Sequence, residues 1–317
     1  MIEIHLDTDL GGDIDDLCAL AMVLNWPGAA LCGVTTVAEH RGKRAGYVRY
    51  ALGLAGRTDV AVSPGADVSL GCFRPWPALP EERRYWPAPI PAAPAPTDHA
   101  LALLERSIDR GAIIVGLGPL TNLALLEQRL PGILRRARLF LMGGHPFPPR
   151  EGFPRWGSDD DYNLQADAAS AHFVLERAHP TLVPISVSVE TALRRAVLPR
   201  LRASGPLAGL IARQAEAFAA DEGSEKKYGT TCTELPDDII NFQHDPLACA
   251  IALGWKEGVE AREVPLVSEL TDRYVRQRVV EGGRPTQVVT KVDANRFADV
   301  WLDTVTGKKA APRAVRG

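Results

Sequence analysis

Short apolar runs alternate with longer amphipathic ones along most of this 317-residue chain. Residues 2–6 are apolar-rich and closed by an Asp/Gly cluster, the pattern of a strand. Residues 15–26 follow as a helical run that Pro27-Gly28 stops. Residues 31–37, rich in β-branched side chains, predict a second strand, 41–55 a second helix and 60–62 a short third strand. The rhythm continues with helix 99–110, strand 112–115, helix 120–129, strand 138–142, helix 166–177 and strand 181–187. Beyond residue 206 the chain becomes more helical, with a further strand and helix at 286–292 and 294–305. Such alternation predicts βαβ units, hence an open, mostly parallel, Rossmann-like α/β sheet with helices on both faces.

Two segments break the rhythm. Between Phe73 and Thr97 stand Pro75, Pro77, Pro80, Pro87, Pro89, Pro91, Pro94 and Pro96, a density that predicts a long surface loop without helix or central strand. Residues 221–242 are polar and irregular, with Gly223, Gly229 and Pro236. No repeat or linker divides the chain, so residues 1–307 are expected to form one catalytic domain and the basic stretch 308–317 a flexible tail.

Composition narrows the classes. Apolar residues make up 46% and charged residues 24%, an ordinary globular balance. Lys+Arg 36 against Asp+Glu 39 leaves a net charge of -3, no electrostatic case for nucleic acid or an anionic membrane. No run approaches the ~20 apolar residues of a membrane span, and the first seven residues carry no basic or hydrophobic leader. Cys18, Cys32, Cys72, Cys232 and Cys249 show no CxxC and no metal-ligand spacing, as expected of buried thiols in a reducing, cytoplasmic setting.

The segment Asp7-Thr8-Asp9-Leu10-Gly11-Gly12-Asp13-Ile14-Asp15-Asp16 holds five aspartates where the first strand hands over to the first helix. In open α/β sheets that end of the strands is where ligands bind. Carboxylates so close repel one another unless compensated, and a hard cation such as Ca²⁺ or Mg²⁺ would compensate them. Asp15 and Asp16 alone would also serve as ordinary helix N-terminal residues. The ligand series of an EF-hand breaks at Gly11. Two further acidic pieces, Gln243-His244-Asp245-Pro246 and Asp159-Asp160-Asp161-Tyr162-Asn163, read singly as an N-cap and a solvated turn. Together, one end of the sheet could gather them all.

These pieces resemble the inosine–uridine-preferring nucleoside hydrolase family. The first block resembles its DTDxGxDD signature in a variant two residues longer, and Val34-Thr35-Thr36-Val37 resembles the strand that follows. Gly116-Leu117-Gly118-Pro119-Leu120-Thr121-Asn122-Leu123-Ala124, Leu141-Met142-Gly143-Gly144 and His244-Asp245-Pro246 resemble later blocks, in the family's order. The resemblance implies hydrolysis of a ribonucleoside to ribose and free base, with bound Ca²⁺, in a homodimer or homotetramer. Carried over by position, Asp9, Asp16, Asp245 and the Leu117 carbonyl would hold calcium. Asp15 would be the general base for the water it holds, and His244 would lie near the leaving base. Asp7, Asp161 and Asn163 would serve the substrate, and His40 stands where the family has an Asn contact to ribose. Base recognition would fall to the irregular segments, with Trp76, Tyr85 and Trp86 either as a stacking lid or as loop anchors. Tyr228, Thr230, Thr231 and Cys232 occupy the second of these, Cys232 as a bystander.

Residues 143–156 lack a match for the family's other Asn, near the 5′-hydroxyl. A nucleoside- or ribose-binding protein without turnover therefore stays open. So does a Mg²⁺-dependent phosphohydrolase of the haloacid dehalogenase type, which also places Asp-x-Asp after a first strand.

Overall fold

The computed structural model describes residues 1–71 and 76–307. Cys72, the start of the proline-rich segment and the expected tail 308–317 lie outside the described residues. The strands are β1 (Ile2–Thr8), β2 (Ala29–Thr36), β3 (Val62–Pro64), β4 (Ile113–Gly116), β5 (Arg138–Met142) and β6 (Thr181–Val183). They continue as β7 (Ala192–Arg194), β8 (Ile239–Phe242), β9 (Val259–Thr271), β10 (Tyr274–Val279) and β11 (Arg284–Val292). Nine form one sheet in the order β10-β9-β11-β6-β5-β4-β1-β2-β3, and β7 pairs with β8 separately. From β3 across to β11 every pairing is parallel, while β9 and β10 add an antiparallel edge. This is the predicted mostly parallel sheet, covered by helices.

Two apolar layers lie against it. One gathers the first helix, Asp15–Asn25, with helices Pro206–Glu222, His244–Ala252 and Ala294–Val305. The other packs helices Thr97–Asp109, Thr121–Arg129 and Ala168–Arg177 around Ile114, Leu139 and Leu182. The first helix is buried from Asp15 through Val23, so its acidic start is carried into the interior with its apolar body. A helix apolar on all sides must be enclosed by neighbours.

Three local expectations change, and one element was not expected. The strand expected over 181–187 ends at Val183, and after Pro184 the chain turns into the helical segment Ile185–Ser188. The proline-rich loop does contain a helical turn, Glu82–Tyr85, in the proline-free window between Pro80 and Pro87. The irregular segment 221–242 contains a π-helical turn, Glu225–Gly229, and ends as β8. The β9–β10 hairpin had no expectation at all. Most of β9 is exposed, with charged Glu260, Arg262 and Glu263 along it, so no apolar alternation announces it.

Candidate active site

The sheet order places β1 between β2 and β4, and the connections leaving β1 and β4 diverge to opposite sides. The carboxyl ends of these strands therefore open a crevice, the usual ligand position of such sheets. Past Thr8 the chain turns through Gly11, at φ +113°, where a Cβ would stand 2.5 Å from the Tyr47 ring. No side chain fits there, so glycine is required. Asp13 Oδ1 accepts the Ile14 N–H at 2.5 Å and Asn241 Nδ2 at 2.5 Å, which pins the approach to the first helix.

That helix and His244–Ala252 bring their N-termini together. Oxygens of Asp15, Asp16 and Asp245 lie within 4.8 Å of one another, all three residues being buried. The Asp245 N–H donates to Asp15 Oδ2 at 3.2 Å, and the Thr8 hydroxyl donates to Asp16 Oδ1. Two helix N-termini favour negative charge here. Even so, burial first and mutual repulsion second push all three carboxyls well above the usual range. Asp9 joins them on the cavity wall, raised by burial and opposed by the charge of Arg44. Only oxygen donors meet here, the chemistry of a hard divalent cation.

The neighbouring loop after β4 brings in Leu117. Its N–H donates to the Asp7 carbonyl at 2.7 Å, and its own carbonyl accepts from Asn163 Nδ2 at 2.9 Å. A Cβ on Gly118 would meet Asp9 Oδ1 at 2.8 Å, so glycine lets this loop close on the acidic turn. Asp161 caps the short helix Tyr162–Gln165, accepting Leu164 N–H at 3.1 Å and Gly144 N–H at 2.5 Å. Asp9, Asp15, Asp16, Asp245, Leu117, Asp161 and Asn163 face a cavity of about 490 Å³, which His244, Trp156 and Tyr85 also line.

His244 Nδ1 is hydrogen-bonded to Ser188 Oγ at 2.7 Å, and burial lowers the imidazole to about 3. At neutral pH it is an uncharged ring. It stands 5.4 Å from Phe242 and 5.9 Å from Trp156, centroid to centroid.

Several expected contacts are corrected. Trp86 is only 1% exposed and stacks on Tyr47 at 4.2 Å, so it anchors the loop in the core instead of facing the cavity. Tyr228 stands behind Trp156, edge-on at 5.6 Å, and His40 is half-buried off the cavity wall. Asp7 lies one layer below, accepting from Thr35 Oγ1 at 2.6 Å and Asn122 Nδ2 at 2.8 Å; burial raises it to about 6. A carboxylate so enclosed cannot attack a phosphate, which removes the nucleophile the phosphohydrolase reading needs.

Arg44 and Trp156 are among the cavity residues that had no sequence expectation. Arg44 sits in the basic run Arg41–Lys43–Arg44, which reads as a solvated helix start, yet it is buried. Trp156 is a lone tryptophan in an irregular stretch, and nothing local separates it from a core residue.

A mostly parallel sheet with an all-oxygen acidic cluster at its switch point makes an α/β ligand site suited to a hard cation. The inosine-uridine preferring nucleoside hydrolase family profile matches residues 4–299, and the chain belongs to that family. It is therefore an N-ribosyl hydrolase, cleaving ribonucleosides to ribose and free base. A pyrimidine-specific ribonucleoside hydrolase RihA of Enterobacter sp. (strain 638) is 30% identical over 92% of this chain and 88% of its own. The RihA of Shewanella sp. (strain ANA-3) is 27% identical over 95% of each. Among solved structures, a purine-preferring ribonucleoside hydrolase from Gardnerella vaginalis superposes with TM-score 0.75 at 20% identity, over 96% of this chain and 98% of that one. A plant nucleoside hydrolase gives 0.74 at 18% identity, over 96% and 99%. These last two speak for the fold.

Proposed function

We propose that cleavage takes place in this cavity, with Ca²⁺ held by Asp9, Asp16, Asp245 and the Leu117 carbonyl, and with Asp15 as general base. The observation that carries this reading is the convergence of Asp15, Asp16 and Asp245 within 4.8 Å, buried and mutually repelling. Such a cluster calls for a cation, and its donors are all oxygen. When bound, calcium supplies Lewis-acid activation of water and an anchor for sugar hydroxyls.

The remaining steps belong to the chain. The Asp245 N–H orients Asp15, whose carboxylate takes up the proton. Asn163 spends its amide N–H on the Leu117 and Met142 carbonyls, which leaves its Oδ1 to accept from a ribose hydroxyl. The ring of surrounding carboxylates stabilises the positive charge that develops on the sugar as the bond breaks. The base departs along the wall made by Trp156 and neutral His244, which positions it without donating as an imidazolium. Residues 1–307 acting as one catalytic domain, a cytoplasmic setting and a homodimer or homotetramer complete the proposal. The setting is supported by free Cys18, Cys32, Cys232 and Cys249, the assembly by family resemblance.

The test is release of reducing sugar from a panel of purine, pyrimidine and modified nucleosides, with and without chelator. The proposal expects release that chelator stops and added Ca²⁺ restores, and the panel names the preferred base. Silence across the panel from folded, calcium-loaded protein would favour a nucleoside-binding protein instead.

A further inference from the structure

Gln277 is a buried amide on β10, the strand at one edge of the sheet, at a position whose alternation calls for an apolar side chain. Val275, two residues earlier on the same face, packs into the core. A buried amide needs partners at both of its ends. Gln277 Nε2 donates to Ser268 Oγ of β9 at 3.2 Å, and Oε1 accepts the His145 N–H at 2.9 Å. The second contact leaves the hairpin and reaches the turn that follows β5.

That turn is a junction. The Gly143 N–H donates to the Val183 carbonyl at 3.0 Å and the Gly144 N–H to Asp161 Oδ2 at 2.5 Å, so with His145 three successive N–H groups tie three separate elements together. Gly144 holds φ +105°, and a Cβ there would stand 2.9 Å from Gln277 Oε1, so glycine lets the amide approach. The His145 ring carries the connection onward. Its Nε2 donates to the Trp156 carbonyl at 3.0 Å, an oxygen that can only accept. The rest of β10 holds the same segment. Gln165 ends the short helix that Asp161 caps, and its amide donates to the Val275 carbonyl at 3.0 Å and accepts the Val275 N–H at 2.9 Å. It thereby pairs with the free edge of the strand as a neighbouring strand would. Beside it Arg276 pairs with Asp159.

We infer that Gln277 is a positioning residue for substrate binding: from the sheet's edge it fixes the turn at Gly144 and His145, and that turn seats Asp161, with Trp156 beside it, on the cavity wall. The inference rests on the reading that cleavage takes place in this cavity. None of the described residues of β9 or β10 lines the cavity, so the hairpin acts only through what it holds. Losing the Gln277 oxygen strands the His145 N–H and frees the turn to shift. Asp161 and Trp156 then meet the nucleoside less well, while the acidic cluster, on other elements, keeps its geometry.

The experiment compares full-length wild type, Gln277→Met and Gln277→Asn in saturating Ca²⁺. Steady-state hydrolysis is measured across the panel of purine, pyrimidine and modified nucleosides, uridine and inosine among them. Gln277→Met keeps the side chain's length without its accepting oxygen; Gln277→Asn keeps an amide but withdraws it by one methylene. Each is expected to raise KM about tenfold with kcat within about twofold of wild type, the pattern of lost substrate binding. If one fails to fold, the other carries the test. Damage to the fold alone removes active molecules, which lowers kcat and leaves the KM of the rest unchanged. Arg278→Ala, which breaks an ion pair with Glu269 on the outer face of the same strand, should leave KM unchanged. Added to Asp161→Asn, the Gln277→Met change should raise KM less than about threefold further, since it acts through a group already altered. Unchanged KM in the Gln277 variants, an equal rise in Arg278→Ala, or full multiplication of the two effects in the double variant overturns the inference alone. Silence from folded, calcium-loaded wild type across the panel overturns it together with the placement of cleavage in this cavity.

Discussion

Two groups of buried carboxylates in this molecule are built in opposite ways. Asp167 is fully enclosed and meets five donors: the N–H groups of Leu70, Gly71 and Ser170 and the hydroxyls of Thr121 and Ser170, at 2.7 to 3.2 Å. It ties the segment after β3 to two helix starts, and its charge is spent on doing so. Asp15, Asp16 and Asp245 are as deeply buried but face one another, with the Asp245 N–H on Asp15 and the Thr8 hydroxyl on Asp16. A buried charge surrounded by donors is structure; a buried charge surrounded by like charge is held for something not of the protein. Burial alone does not tell the two apart.

That contrast can be broken by mutation, and the largest effect lies at the cluster. Asp15→Asn should lower turnover by about 10²–10⁴-fold, since an amide cannot take up the proton. Calorimetry should find Ca²⁺ and nucleoside binding largely kept. Asp245→Ala should weaken calcium binding as well, and equal loss of metal in both variants would contradict the assignment of base and ligand.

Asp167→Ala should act in the other sense. It strands several buried donors, for an expected loss of about 3–5 kcal/mol in denaturant unfolding, while folded molecules keep their calcium affinity. The two tryptophans give a parallel pair. Trp86→Ala, in the core against Tyr47, should cost about 3–5 kcal/mol of stability. Trp156→Ala, on the cavity wall, should raise KM about tenfold, the loss of one aromatic contact to the base.

Smaller effects sharpen the same point. In metal-free protein Asp16→Asn should raise the melting temperature, because an uncharged amide relieves repulsion among the buried carboxylates. The pH dependence follows with its sign. Carboxyls raised by folding contribute stability that is complete below their ordinary 3.8 and is lost as pH climbs through the folded value, about 6 for Asp7 and likewise raised by burial for Asp15, Asp16 and Asp245. His5 and His244, lowered by burial to about 3, work the other way only below their ordinary 6.5. Above the ordinary histidine range the carboxyls set the slope, joined at higher pH by the buried Cys18 and Cys249 thiols, which burial also raises. Melting temperature in chelator should therefore fall as pH rises, and Ca²⁺ should abolish most of that fall.

The parts legible in the sequence are those whose signal is local. Alternating apolar runs announced the parallel strands from β1 to β6, and the crowding of Asp7 to Asp16 announced a charged site at the end of β1. What escaped depends on contacts distant in sequence. Arg44 looks solvated within its own basic run and becomes interior only because the lengthened acidic loop folds over it. Trp86 and Trp156 look alike as isolated aromatics, and only packing against Tyr47 on one side or His244 on the other separates anchor from wall. The exposed β9–β10 edge carried no apolar period to read.

The most direct test is calorimetric titration of chelator-stripped wild type with Ca²⁺. The account predicts one site per chain, binding more tightly as pH rises and protons leave Asp15, Asp16 and Asp245, and largely lost in Asp245→Ala. A chain that binds no calcium, or binds it equally well without Asp245, would contradict it.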